Sequence, residues 1–247
     1  MINEAINFFK HHKHERQNFK KFRQVFDHFN SLDTNKKLQN EWLDIFPFFS
    51  DNTSETEFDA HYVYHPAWAA RIVRDIAPEK HIDISSTLHF CSILSAFIPV
   101  EFYDFRPAKL KLSELYSDRA DLTQLHFASN SITSLSCMHT IEHIGLGRYG
   151  DPIDPDGDIK SINELKRVVA VNGSLLFVVP VGKPRIQFNA HRIYNPEVIT
   201  DLFNGFTLKK FSLVLDDRDF IENAGFDMAK QQNYGCGCFW FIKETET

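Results

Sequence analysis

From Pro66 onward, helix-patterned and strand-patterned segments alternate along the chain. That rhythm restricts the fold to a parallel sheet with crossover helices on its faces. The segment at 174–179 reads Ser-Leu-Leu-Phe-Val-Val. It has no polar alternation, which is what a central strand covered on both sides requires. Further strands are expected at 81–84, 100–104, 132–138, 211–215 and 236–242, with one more ending just before Asp121. Helices are expected at 66–76, with Pro66 in the first turn, at 159–169, from Pro196, and at 218–224. Asn172-Gly173 reads as the stop signal of the second of these, Pro180 as the end of the apolar strand, and the stretch up to Tyr194 as a loop. The last two strands are joined by too little chain for a full crossover, so an antiparallel closing strand is expected.

Residues 1–58 read as a helical and then irregular extension before a domain at 59–247. Phe19, Phe22, Phe26 and Phe29 form one aromatic stripe at helical spacing. It calls for cover, either by packing on the domain or as a lid over a cleft. The basic run from Lys10 to Arg23, with His11, His12 and His14, reads as a solvated face. A hydrophobic fraction of 43% with 24% charged residues is that of a globular protein, and the 24 phenylalanines supply much of its packing. The formal net charge of -6 gives no field that would draw the chain to nucleic acid. No run approaches the roughly 20 apolar residues that span a membrane, and the first residues lack a signal-peptide pattern, so a cytoplasmic location is expected.

Cys91, Cys137, Cys236 and Cys238 each lie in or beside apolar, strand-like sequence and read as reduced core thiols. Cys236 and Cys238 share one strand face, but no second C-x-C or C-x-x-C pair accompanies them, and no metal is expected. The acidic stretch 151–158 lacks the spacing of a calcium loop and reads as turns and helix caps. Neither a Gly-x-Gly-x-x-Gly turn nor a Gly-x-Ser-x-Gly elbow occurs, which removes nicotinamide-dependent oxidoreductases and serine hydrolases of those types.

Asp83, Asp104 and Asp121 end or follow successive strands, about twenty positions apart. In a doubly wound sheet such residues can meet in one crevice beyond the strand ends, where a carboxylate accepts both hydroxyls of a ribose. Helix or turn capping is the other reading for each.

The stretch ADLTQLHFASNSITSLSCMHTIEHIG, followed by SINELKRVVAVNGSLLFVVPVG, resembles the class I S-adenosylmethionine-dependent methyltransferases, in their small-molecule branch. The resemblance covers about residues 66–242. It implies a doubly wound, mostly parallel, seven-stranded Rossmann-like sheet with an antiparallel C-terminal strand, here carrying the N-terminal helical extension. It further implies S-adenosylmethionine as cofactor and methyl transfer to oxygen or nitrogen of a small polar acceptor, such as a saccharide or a nucleotide-linked intermediate. A repurposed relative that uses the same cleft for another ligand or a protein partner is the alternative. Asp83 would lie beside the amino-acid end of the cofactor, Asp104 on the ribose, Asp121 and Leu122 on the adenine, and His139 along the cleft wall with Cys137 and Met138. The family has Asp-x-Gly-x-Gly after its first strand, whereas this chain has Asp83-Ile84-Ser85-Ser86-Thr87. Either that loop takes another, unstrained path, with the hydroxyls of Ser85, Ser86 and Thr87 replacing some amide donors, or the cofactor is not held. A β-branched Thr87 at positive φ would be the least suitable replacement for glycine.

Methyl transfer asks chiefly for positioning and, with a hydroxyl acceptor, for a base. His143, next to Glu142 after the fourth strand, is the candidate base, the other reading being that the pair organises its loop. His191 and Arg192 stand where acceptor contacts are expected, with Tyr194 beside them. Arg192 could clamp a carboxylate or phosphate, giving an anionic acceptor, or pair with a structural carboxylate. Tyr62, Tyr64 and His65 read as staples before the first domain helix, or as a cover over the cofactor's amino-acid end.

Overall fold

The computed structural model describes residues 2–245, with side chains described from residue 16, so His11, His12 and His14 lie outside the described side chains. The chain separates into two compact units, one ending at Glu57 and one beginning at Phe58. The first holds helix α1 (Ile2–Leu32) and an extended return with a single 3-10 turn at Trp42–Asp44. The aromatic stripe meets that return: Phe26 packs on Trp42 with ring centroids 5.1 Å apart, and Phe19 on Phe49 at 5.3 Å. Arg23 lies 4.2 Å over the Trp42 ring, a cation–π contact that closes this small cluster.

The second unit runs α2 (Ala60–Ile76), β1 (His81–Ile84), α3 (Leu88–Leu94), β2 (Val100–Asp104), β3 (Leu115–Arg119) and β4 (Ile132–Met138). A 3-10 turn at Ile141–His143 leads to α4 (Gly157–Val168), β5 (Val169–Val181), β6 (Arg185–Gln187), β7 (His191–Ile193) and α5 (Pro196–Leu202). The chain finishes with β8 (Phe206–Val214), β9 (Phe220–Ile221), α6 (Phe226–Lys230) and β10 (Gly235–Lys243). The main sheet has the order β3-β2-β1-β4-β5-β10-β8-β9. β1 to β5 are mutually parallel, and β10 runs antiparallel between β5 and β8. These are the seven expected strands, and the eighth, β9, is a two-residue edge strand paired with β8. Strand order reverses between β1 and β4, which places the crevice of such a sheet above the ends of those two strands.

Helices cover both faces. Ile162 and Leu165 of α4, Ile199 and Phe203 form one core with Phe177 and Phe239 of the sheet. Trp68, Ala69 and Val73 of α2 with Phe90 and Cys91 of α3 form the other, against Met138, Val178, Cys236 and Cys238. Among the described residues no helix is long and apolar enough to cross a membrane.

Five local expectations are corrected. Helix α2 begins at Ala60, capped by the Asp59 side chain accepting from Tyr62 N at 3.2 Å, so Pro66 sits inside the helix. The proline forfeits one backbone bond, and the burial of His65, Trp68 and Ala69 around it compensates. β5 starts directly after α4, and Asn172, at φ 61°, makes an irregularity within the strand instead of a separate helix stop. Pro180 remains inside β5, opposite Cys236, and its carbonyl accepts from Tyr194 N. The segment before Tyr194 forms the β6–β7 hairpin, and the expected helix at 218–224 gives way to β9 followed by α6.

Candidate functional site

The loop after β1 is pinned from three sides. Ser85 N donates to the Tyr103 carbonyl at 2.7 Å, Thr140 Oγ1 donates to the Ser85 carbonyl at 2.9 Å, and Met138 N donates to Ser86 Oγ at 3.0 Å. Ser85 takes the left-handed turn, at φ 59°, that a glycine would otherwise make. Thr87 has an ordinary φ of -78° and caps α3, accepting from Phe90 N at 3.2 Å. The glycine-free sequence therefore still bends like a glycine loop, with the strain on serine and none on the β-branched residue.

Asp83 does not reach the crevice. It is 0% exposed, with Oδ1 accepting from Ser86 N at 3.0 Å and Oδ2 accepting from the Ser136 hydroxyl. Burial raises its carboxyl to about 6. Ser136 in turn accepts from His81 Nε2 at 2.8 Å, and His81 Nδ1 accepts from Ser134 Oγ at 2.8 Å, an assignment dictated by the single proton on each hydroxyl. Desolvation lowers His81 to about 3. This chain of buried polar groups reaches the loop through Ser86.

Asp104 and Asp121 stand at the carboxyl edge. Asp104 closes β2 with Oδ1 accepting from Arg106 N at 2.6 Å, and Asp121 Oδ1 accepts from Thr123 N at 2.9 Å. Asp121 and Leu122 wall a cavity of about 130 Å³ together with Ser85, Phe105, Ile144 and Tyr149. Tyr149 also walls a second cavity, of about 470 Å³, with Glu142, His143, Arg148, His191 and Tyr234. A roomier groove of about 650 Å³ lies between α2 and α3, but its walls are mostly apolar and it holds none of the strand-end carboxylates.

The turn after β4 is held from within. His139 Nδ1 donates to Glu142 Oε1 at 2.8 Å, with the two side chains 3% and 1% exposed. His139 lies beneath α2 instead of lining an open cleft: its ring stacks on His61 and Tyr62 and meets His65 edge-on. Burial lowers His61 to about 4 and His65 well below its ordinary value. His143 Nδ1 donates to the Ala190 carbonyl at 2.6 Å, which leaves the imidazole lone pair on Nε2. The acidic stretch 151–158 folds the rest of this loop: Asp151 Oδ2 accepts from Gly145 N at 2.8 Å and Gly147 N at 3.3 Å. Gly145, at φ 79°, lies so close to the Asp154 carbonyl that a Cβ would collide with it.

On β7, His191 and Arg192 face opposite ways, as neighbours on a strand must. His191 reaches the larger cavity, its ring tilted against that of Tyr234 with centroids 4.6 Å apart and its Nε2 donating to Gln187 Oε1 at 2.6 Å. Arg192 turns inward, 5% exposed, and donates to the Ile144 and Pro155 carbonyls at 2.6 and 3.1 Å. Its Nε lies 3.4 Å from Asp158, which also accepts from Tyr194 OH. It is a structural group, so the acceptor clamp expected of it is not available. The exposed cation of that cavity is Arg148, which sequence reasoning passed over together with Tyr149 and Tyr234. The length of the loop after β4 hinted at Arg148 and Tyr149, whereas Tyr234 comes from the turn before β10.

Comparison with solved structures fits this architecture. A Burkholderia thailandensis 1,6-didemethyltoxoflavin-N1-methyltransferase, with 1,6-didemethyltoxoflavin and S-adenosylhomocysteine bound, superposes with a TM-score of 0.52 at 11% identity, covering 74% of this chain and 79% of its own. The N-methyltransferase NodS of Bradyrhizobium japonicum, in complex with S-adenosylhomocysteine, gives 0.51 at 13% identity over 73% of this chain and 86% of its own. YcgJ of Bacillus subtilis gives 0.50 at 11% identity, over 73% of this chain and all of its own. The unit from Phe58 thus has the class I S-adenosylmethionine-dependent methyltransferase fold. No curated protein matches the sequence. A family model does, over residues 107–232, from before β3 to just after α6, and by that match the chain belongs to the family described as Caenorhabditis protein of unknown function, DUF268.

Proposed function

We propose that the unit from Phe58 is an S-adenosylmethionine-dependent methyltransferase acting on oxygen or nitrogen of a small polar acceptor. The observation that carries this reading is the shared wall at Tyr149. A cavity flanked by Phe105, Asp121 and Leu122 adjoins one that contains His143, at the point where strand order reverses.

The residues present fit the cofactor at its nucleoside end. The left-handed Ser85 keeps the loop on a glycine-like path, and the Asp104 oxygen not bonded to Arg106 can accept ribose hydroxyls. Asp121 can accept from an exocyclic amine and the Leu122 amide can donate to a ring nitrogen. The smaller cavity, at about 130 Å³, is below the roughly 300 Å³ typical of ligand sites, so the remainder of the cofactor would draw on the adjoining space. When bound, S-adenosylmethionine supplies an electrophilic methyl group on a sulfonium whose leaving group is a neutral thioether. His143, its Nδ1 held by Ala190, takes the acceptor's proton on Nε2, and Glu142 and His191 flank it. Arg148, at the rim, would meet an anionic acceptor such as a phosphorylated saccharide or a nucleotide-linked intermediate.

Thermal unfolding with S-adenosylhomocysteine tests the reading. At 100 times its dissociation constant the ligand should stabilise the fold by about 2.7 kcal/mol. Asp104→Ala should abolish that shift while the ligand-free melting temperature stays within a degree or two. No shift at millimolar ligand would remove the methyltransferase reading and leave a fold that uses its crevice for another ligand or partner.

A further inference from the structure

We propose that His61, His139 and Cys236 form a site for a divalent transition metal of the zinc class, with Glu142 as the partner that orients His139. Among the described residues, His139 Nε2 in this cluster, Glu142 Oε2 beside it and Nε2 of the adjoining His65 are buried without a hydrogen-bond partner. Buried polar atoms are ordinarily paired, and a buried carboxylate oxygen without a donor asks for a nearby positive charge.

One ligand-capable atom from each of His61, His139 and Cys236 lies within 4.8 Å of the other two. A tetrahedral ion with nitrogen and thiolate ligands holds them roughly 3.3 to 3.8 Å apart, so closure by about 1 Å completes the set. His61, half-buried in the first turn of α2, can supply that movement by side-chain rotation, while His139 directly follows β4 and Cys236 lies near the start of β10.

One imidazole is already prepared as a ligand. His139 gives its Nδ1 proton to Glu142, which leaves the lone pair on the orphaned Nε2. His61 stands beside it, its ring stacked on those of His139 and Tyr234 with centroids 5.3 and 5.1 Å apart. A carboxylate behind a ligating histidine is the usual outer support of zinc sites. Cys236 is a buried thiol with the Cys238 sulfur 3.8 Å away, and it would bind as thiolate with release of its proton. Two nitrogens and one sulfur suit zinc or cobalt better than magnesium or calcium, and three protein ligands leave a fourth position for a water. The expectation of no metal had looked for a second cysteine pair, whereas the other ligands come from a helix and a strand end far away in sequence.

The test uses the full chain, stripped with a chelator and titrated with cobalt(II), and does not involve methyl transfer or its cofactor. One equivalent should bind with tetrahedral visible bands and a sulfur-to-cobalt charge-transfer band, and zinc should displace it. Cys236→Ala should lose the charge-transfer band, and Glu142→Gln should weaken binding about 10- to 100-fold. His89→Ala, at an exposed histidine in the α2–α3 groove, should leave the titration unchanged. If Cys236→Ala does not fold, His61→Ala at the half-buried helix start decides the matter, with binding weakened at least 100-fold. Absence of stoichiometric cobalt, or a parental spectrum in Cys236→Ala or His61→Ala, overturns the proposal.

Discussion

His139 donates to Glu142 at 2.8 Å where neither side chain meets solvent, and the same carboxylate oxygen stands 3.8 Å from His143 Nε2. One buried carboxylate therefore governs two histidines of opposite fate: His139, sealed under α2, and His143, at the wall of the larger cavity. Because Ala190 fixes the other nitrogen of His143, the ring has one orientation and one nitrogen able to accept a proton.

Replacing His143 with Gln should lower kcat about 100-fold or more with little change in KM, because the interaction lost is a proton transfer in the transition state. The thermal shift given by S-adenosylhomocysteine should persist. Steady-state rates across the pH range check this, and parental rates at every pH would take His143 out of the mechanism.

Ser85 sits at φ 59°, where a Cβ is costly and a second branch on it more so. Ser85→Gly should leave stability unchanged or raise it by up to about 1 kcal/mol, since strain relief offsets the greater freedom of the unfolded chain and the loss of the weak 3.3 Å contact to Tyr103. Ser85→Val should destabilise by about 2 kcal/mol or more. Urea unfolding of the pair tests this, and the reverse ranking would refute a left-handed Ser85.

Burial raises the Asp83 carboxyl from 3.8 to about 6, so between those values the folded state holds a proton that the unfolded chain releases. Its contribution to stability is complete below about pH 4 and is lost as pH rises to about 6, a change on the order of 3 kcal/mol. Asp83→Asn should therefore equal or exceed the parent in stability at pH 8 and lose that advantage at pH 4. His81 can exchange the proton positions on its ring to accommodate the amide. A variant less stable at pH 8 than at pH 4, relative to parent, would contradict a carboxylate held at this cost.

His81 and His61 work in the opposite direction. Burial lowers them from 6.5 to about 3 and about 4, so the stability they contribute is present above pH 6.5 and is lost as pH falls toward those values. Each group changes stability by about 1.4 kcal/mol per pH unit in its window, and together they outweigh Asp83. Chemical unfolding should show a loss of several kcal/mol between pH 7 and pH 4.5. A flat profile would mean that water reaches these rings.

Arg192→Ala leaves Asp158 as a buried carboxylate with only the Tyr194 hydroxyl, and it strands the Ile144 and Pro155 carbonyls. The expected cost is about 3 to 5 kcal/mol of stability. Unfolding curves with the double variant Arg192→Ala/Asp158→Asn should show strong coupling between the two positions. A fully stable Arg192→Ala protein with weakened acceptor binding would restore the clamp role.

Much of the architecture was legible because it depends on local periodicity. The run at 174–179 is apolar on both sides since α2, α3, α4 and α5 cover both sheet faces, and that requirement is written into consecutive residues. Asp104 and Asp121 were legible as strand-end carboxylates, whereas Tyr62, read as preceding the first domain helix, lies inside it. The start of α2 was not legible, because Pro66 is a local stop signal that burial of the residues around it overrides.

Alone, the amino-acid order determined the alternation of elements, the antiparallel close and the carboxylates at or near the ends of β1, β2 and β3, since all of these follow from spacing along a chain. Only the tertiary structure decided which way those residues turn: Asp83 and Arg192 inward to Ser136 and Asp158, His143 and Arg148 to a cavity, and His61, His139 and Cys236 to one another. Strand parity, the left-handed serine and the cover of α2 set those directions. Each of them depends on partners distant in sequence, which no local pattern encodes.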